Sequence, residues 1–356
     1  MSGKLYVYIR KHWKLLLNVV TVAALIVLVI VVHKDILDTF MNLTRVNAWA
    51  LVALIPIELL NYDAQARMYR GLFGIVGNKL AYRYMFETAL ELNFINSVFP
   101  SGGVSGISYF GVRMRSTDIT GGKATAVQLL KLGMTWLSFE PLLLLGLLFI
   151  TLRGHVNDLT VLVAGVITTL LIIMTFAFIM IIGSRKRINA TFEFLTDNLN
   201  RLIHVVRPKH PETISIDRFR PTVNELHDNY RLIQTNYRGL KGPFIWAMLA
   251  NLFEVLAVYV VFVAFGYWVN FGAVILAYAV ANFAGLVSIM PSGVGIYEAL
   301  MTGILAVTGI YPSLSLPVIV MYRILNTLIQ LPPGYVYYHR TLNRSPVETT
   351  VHHMRD

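Results

Sequence analysis

The sequence predicts an all-α integral membrane protein, and three observations carry that prediction. Only 14% of its 356 residues are charged, against about a quarter in soluble domains. Apolar residues make up 56% and mean hydropathy is +0.62, so lipid must solvate much of the chain. Apolar stretches at 15–32, 159–183 and 243–265 each approach the roughly 17 to 25 residues a helix needs to cross the hydrocarbon.

Six full crossings are expected, at 15–32, 47–66, 124–150, 159–183, 243–265 and 315–338. The first follows a basic start of Lys4, Arg10, Lys11 and Lys14. It is too long for a signal-peptide core and has no small-residue cleavage site, so it is expected to remain as a transmembrane helix. Two more apolar stretches, 84–112 and 272–308, are interrupted by Pro-Ser-Gly. They are expected as broken re-entrant helical hairpins, with eight plain crossings as the alternative.

Charge placement separates these schemes. With the N-terminus inside and both hairpins returning to their side of entry, only Lys34, Arg45 and Arg153 of the 30 Lys and Arg lie outside. Lys131 and Arg323 lie within the membrane, and all the others lie inside. That is the positive-inside pattern. Eight plain crossings would move Arg113, Arg115 and Lys123 outside, so the pattern favours hairpins. Both schemes put the N- and C-termini on the cytoplasmic side of a multi-pass cell-membrane protein. The net charge of +11 then reports topology and contact with anionic lipid. Nucleic acid is not an expected partner.

The absence of cysteine excludes disulfides, thiolate catalysis and Cys-ligated metals. The nine histidines form no HxxxH or HExxH pair, and His352 and His353 read as part of a solvated tail. No metal or cofactor is expected. The inside segment 184–242 is the one sizeable polar stretch. Ile188, Phe192, Leu195, Leu199, Leu202 and Val206 recur there at helical spacing beside Arg185, Lys186, Arg187 and Arg201. That pattern suits a basic amphipathic helix at the cytoplasmic interface. A solvated connector between two halves is the plain reading; lipid sensing is the functional one.

An internal repeat organises the chain. Phe94 to Gly103, ending in Phe-Pro-Ser-Gly-Gly, has a counterpart in Gly285 to Gly293, ending in Met-Pro-Ser-Gly. Asn93-Phe94 and Asn282-Phe283 precede the two breaks at similar distances. Glu58 lies 42 residues before Pro100 and Glu254 lies 37 before Pro291, while Lys131 and Arg323 follow the same prolines by 31 and 32. Three crossings in the first unit turn the second upside down, so residues 1–155 and 156–340 are expected as inverted-topology repeats, with 341–356 as a polar tail. Inverted repeats with broken helices near the midplane are a transporter construction. Irregular backbone at that depth has to be buried in protein or line a wet cavity.

The candidate site follows from the breaks and the buried charges. Pro100, Ser101, Gly102 and Gly103, and their counterparts Pro291, Ser292, Gly293 and Gly295, would end one arm and start the next. The outgoing arms would then point free N–H groups inward, an anion-binding arrangement. Lys131 and Arg323 are cations on crossings; snorkelling is the plain alternative to a shared polar cavity. Glu58, Glu140, Glu254 and Glu298 are their candidate partners. Glu87 and Glu91 share a face, one turn apart. Lys131 and Glu140 point about 180° apart on one helix and are not expected to pair.

Asn-Ser-Val-Phe-Pro-Ser-Gly-Gly followed by Arg113, and Pro-Ser-Gly-Val-Gly-Ile-Tyr-Glu with Tyr322-Arg323 downstream, resemble the transmembrane, flippase-like family of lysylphosphatidylglycerol synthase. The likeness runs from about residue 10 to 340. It implies movement of an aminoacylated or other polar phospholipid between leaflets. No aminoacyltransferase domain follows residue 340, so lipid synthesis is not expected of this chain. The leading expectation is a flippase-like lipid transporter, without a GxxxxGK[ST] ATPase motif. A lipid- or polyprenyl-modifying transferase is a second reading, although no DxD occurs. A non-transporting scaffold for a separate lipid-synthesis enzyme is a third. Phospholipid, anionic or aminoacylated, is the expected ligand, and a homo-oligomer is an open partner state.

Overall fold

A computed structural model describes residues 46–99, 104–117, 119–152, 236–285 and 295–343, together with isolated helical positions between 162 and 190. Among the described residues the chain is built of helices without strands. The first half supplies α1 (Ala48–Val52), α2 (Leu54–Ile75), α3 (Tyr82–Val98), α4 (Val104–Met114) and α5 (Gly121–Leu152). The second supplies α6 (Lys241–Ala264), α7 (Phe271–Gly285), α8 (Ile296–Val307) and α9 (Pro312–Asn343).

Local chemistry sets the ends of these helices. Asn47 caps α1 by accepting from the Trp49 N–H at 3.1 Å, and its own N–H bonds the Ala264 carbonyl at the end of α6. Gly77 adopts a φ of 84°, which lets the Asn78 N–H reach back to the Phe73 carbonyl and close α2. Gly266 ends α6 in the same way, with the Tyr267 N–H on Phe262.

Among the described residues, three helices are long and apolar enough to cross a membrane: Gly121–Leu152, Arg238–Ala264 and Pro312–Asn343. They meet the crossings expected at 124–150, 243–265 and 315–338. Between 162 and 180 the described positions are helical, with Leu162, Val166, Ile173 and Phe176 exposed, which suits the crossing expected at 159–183. The crossing expected at 47–66 is different in form. The chain bends at Ala53, and α2 runs nine residues further, to Ile75. Between Ile57 and Arg70 no glycine or proline occurs, and Arg67 supports the extra turns by pairing with Asp63 at 2.8 Å. The crossing expected at 15–32, the repeat boundary near 155 and most of 184–242 lie outside the described residues.

The two interrupted stretches are pairs of short helices. The arms α4 and α8 have 11 and 12 residues, about 17 and 18 Å of rise, little more than half the hydrocarbon thickness. Pro100, Ser101, Gly102 and Gly103 between the first pair, and Pro291, Ser292 and Gly293 between the second, lie outside the described residues.

Packing is centred on α2 against α6. The main apolar cluster joins Leu54 and Ile57 of α2 to Val258 and Phe262 of α6 and to faces of α5, α7, α8 and α9. Large apolar side chains such as Leu59, Leu144, Leu148 and Leu328 point outward and are exposed. In water such a surface would associate; in a bilayer it is the solvated one. The halves also exchange partners: α3 packs on α9, and α7 packs on α5. Both exchanges are close. A Cβ on Gly272 of α7 would lie 2.1 Å from the Gly146 carbonyl oxygen of α5. One on Gly334 of α9 would lie 2.8 Å from the Leu90 carbonyl oxygen of α3.

Gly272→Val and Gly334→Val are therefore expected to lower Tm in detergent, each through about 1–3 kcal/mol of overpacking. Gly74→Ala, with nothing within 4 Å of the new Cβ, is the matched control and should not lower it. Thermal unfolding followed by size-exclusion chromatography reads both.

Candidate functional site

Polar side chains on otherwise apolar helices gather into three groups. The first surrounds a cavity of about 240 Å³ bounded by α2, α3, α5, α6 and α7. Its walls include Asn61, Asn93, Lys131, Asn251, Glu254 and Asn282. Asn61 and Glu58 are three apart on α2, and Asn251 and Glu254 are three apart on α6, so each pair lies on one side of its helix.

The asparagines tie the walls together. Asn61 donates to the Ala250 carbonyl at 2.9 Å, joining α2 to α6, and accepts from Gln65 at 2.5 Å. Asn251 donates to the Ser138 hydroxyl at 2.7 Å and to the Thr135 carbonyl at 3.0 Å, joining α6 to α5. Glu254 accepts from the Tyr322 hydroxyl at 2.5 Å, and Asn326 donates to that same phenol oxygen at 3.1 Å. Lys131 faces the cavity and does not snorkel along α5. It forms no ion pair among the described residues, although its charge and that of Glu254 act on each other. Such a lysine is available to an anion.

The second group holds Glu298 and Arg323. One Glu298 oxygen pairs with Arg323, and the other accepts the Gly295 N–H at 2.7 Å. Glu298 thereby caps α8, and the Arg323 guanidinium also lies over the Tyr297 ring at 5.0 Å. The first turn of α8, expected from the sequence to face an anionic ligand, holds the chain's own carboxylate. Arg323 does not line the cavity with Lys131; its side of α9 faces α8, while its neighbour Tyr322 reaches Glu254.

The third group is a buried ion pair. Arg113 donates to Glu91 at 2.9 Å, with side chains 2% and 0% exposed. The Tyr109 hydroxyl donates to the same oxygen at 2.8 Å, and Thr341 donates to the other at 2.6 Å. The Arg113 guanidinium lies over the Tyr84 ring at 4.3 Å. The pair binds α3, α4 and α9. Charge counting groups Arg113 with the cytoplasmic loop residues; the structure puts it inside the protein, because Glu91 and Tyr84 supply what water would. Glu87 shares the face of Glu91 but pairs with Arg83, at 3.2 Å.

Two acids stand apart. Neither oxygen of Glu58 has a hydrogen-bond partner among the described residues, and Oε1 of Glu140 has none. Glu140 and Lys131 do not pair, as their angular separation predicts. No group of three or more metal-ligating side chains occurs among the described residues.

The breadth of this arrangement matches a known family. A family model described as the lysylphosphatidylglycerol synthase TM region matches residues 15–334. The chain belongs to that family. A UPF0104 membrane protein of Methanothermobacter thermautotrophicus is 35% identical over 108 residues, 30% of this chain and 32% of that protein. The chain thus matches about a third of that relative's length. Like the lysylphosphatidylglycerol synthase TM region, it is a multi-pass membrane protein.

The asparagines of the cavity are the residues that sequence reading did not single out for function. Asn93 and Asn282 were visible only as markers of the repeat, and they turn out to line the same space. Their signal is an uncharged polar residue at hydrocarbon depth.

The buried pair yields a stability prediction. Arg113→Met leaves Glu91 buried and unpaired, with an expected cost of about 3–5 kcal/mol, read as a lowered Tm in detergent. Adding Glu91→Gln removes the orphaned charge, and the double variant should recover most of that loss.

Proposed function

We propose that this chain is a flippase-like transporter that carries a polar lipid across the cell membrane, its headgroup phosphate engaging Lys131 in the central cavity. The carrying observation is a lysine that lines a cavity between the two halves and has no ion pair among the described residues. A cation at the bilayer centre costs roughly 2.5–3.5 kcal/mol on insertion scales. An anionic ligand that enters the cavity offsets that cost, and purely structural packing does not.

Three further features support the reading. The short arms α4 and α8 suit re-entrant hairpins that meet within the membrane. The asparagines around Lys131 supply neutral donors and acceptors for phosphate and hydroxyl oxygens, while acyl chains stay against the exposed leucines outside. The family is that of the transmembrane portion of a lipid synthase, a setting in which the membrane part handles lipid. In this scheme both termini are cytoplasmic and the halves open alternately. Glu298 competes with any anion at α8, so the phosphate site is one cation, Lys131, rather than two.

Leaflet-resolved movement of a labelled anionic phospholipid in proteoliposomes tests this. Lys131→Ala should slow it at least tenfold while Tm stays near that of the unchanged protein. A folded Lys131→Ala variant that moves lipid at the original rate would overturn the assignment, and so would a purified protein that chemically converts the lipid instead of moving it.

A further inference from the structure

Glu58 presents a problem that the lipid site does not solve. It is 1% exposed, and neither carboxylate oxygen has a hydrogen-bond partner among the described residues. The Tyr62 hydroxyl, one turn along α2, is also buried and unpartnered. Leu54 and Ile57 beside it belong to the apolar core. An ionised carboxylate there would carry a desolvation penalty that the Tyr62 hydroxyl, the one side-chain donor acting on it, offsets only in part.

The surrounding groups show how charge balances. Glu254 of α6, Tyr278 of α7 and Tyr322 of α9 act on Glu58, together with Tyr62 of its own helix. Lys131 of α5 acts on Glu254. Helix α1 carries no titratable side chain, and α3 meets the charges of α2 further along, where Tyr82 bonds Asp63. Glu58 and Glu254 act on each other, and the one ammonium of the group, Lys131, acts on Glu254. Glu254 has the Tyr322 hydroxyl and, with Lys131, the cavity; Glu58 has neither. Neutrality of the three groups requires one proton, and the unpartnered oxygens place it on Glu58. A metal cation is a poorer occupant, because Lys131 already holds positive charge nearby and Glu58 and Tyr62 alone offer too few oxygens.

We infer that Glu58 and Glu254, on the two packed central helices, form a proton-binding site linked to the lipid cavity. The linkage rests on the anion reading of Lys131. A phosphate at Lys131 draws that charge away from Glu254 and adds negative charge to the cavity, so the acid pair holds its proton more firmly. By reciprocity the proton strengthens phosphate binding by the same factor. Anion and proton then travel together, and a proton gradient drives the lipid.

Infrared spectroscopy of the detergent-solubilised chain tests the site independently of transport. A carbonyl stretch of a protonated carboxyl should be present at neutral pH and absent in Glu58→Gln. If the two spectra agree, the inference is wrong. Should Glu58→Gln fail to fold, titration of the band in the unchanged protein decides: persistence through neutral pH supports the site, and absence overturns it. Proteoliposomes test the linkage. An imposed pH gradient should speed labelled phosphatidylglycerol movement several-fold, and Glu58→Gln should not respond. Lipid movement indifferent to the pH gradient, or driven by a sodium gradient instead, overturns it. If no lipid moves under any gradient, the transport reading fails and so does the linkage, while the infrared band still decides whether the proton is there.

Discussion

Hydrocarbon supplies no hydrogen bonds, so each polar group at bilayer depth must find its partner in the protein. The packing of α2 on α6 is where this chain meets that constraint. Gln65, Asn61 and the Ala250 carbonyl form one relay across the contact, and Asn251 carries it on to Ser138 and Thr135. The surrounding helices are arranged about those bonds. Beside these bonds, Glu58, Tyr62 and Glu140 keep buried oxygens without a hydrogen bond among the described residues, and Lys131 lines the cavity without an ion pair there.

One residue type serves four purposes here, and environment alone assigns them. Glu91 is fully enclosed with Arg113, Tyr109 and Thr341, a constellation that fixes three helices. Glu298 divides itself between a cation and a helix end. Glu254 takes a phenol and looks into a cavity. Glu58 is buried one turn from Tyr62, without a hydrogen bond among the described residues. The energetic consequence is clearest for Glu91: a paired buried carboxylate resists removal of its partner.

The helical membrane fold was legible because apolar length and charge bias survive without knowledge of tertiary contacts. Helix bounds at 124–150, 243–265 and 315–338 could be read to within a few residues, since each is a long apolar run with polar flanks. The stretch 47–66 was harder. Asp63, Arg67 and Arg70 look like the polar end of a crossing, yet an i,i+4 pair lets the helix continue through them. Partner choice was the least legible. That Lys131 and Arg323 occupy matching sequence positions says nothing of which way each faces, and only packing sends one toward the cavity and the other toward Glu298. Arg113 shows the same limit, since burial beside a tyrosine ring and a glutamate comes from helices distant in sequence.

The contact of Gly146 with Gly272 has a mechanical side. The two backbones approach closely there, with Ile150 and Ile275 beside them, and Gly334 seats α9 against Phe94 and the Leu90 carbonyl of α3. Helices that interlock through large side chains must lift ridges out of grooves before one can turn on the other. A contact centred on glycine has less of a ridge to lift. If the halves open alternately as proposed, these two glycine contacts are where helices of opposite halves can change angle without lifting large side chains out of grooves.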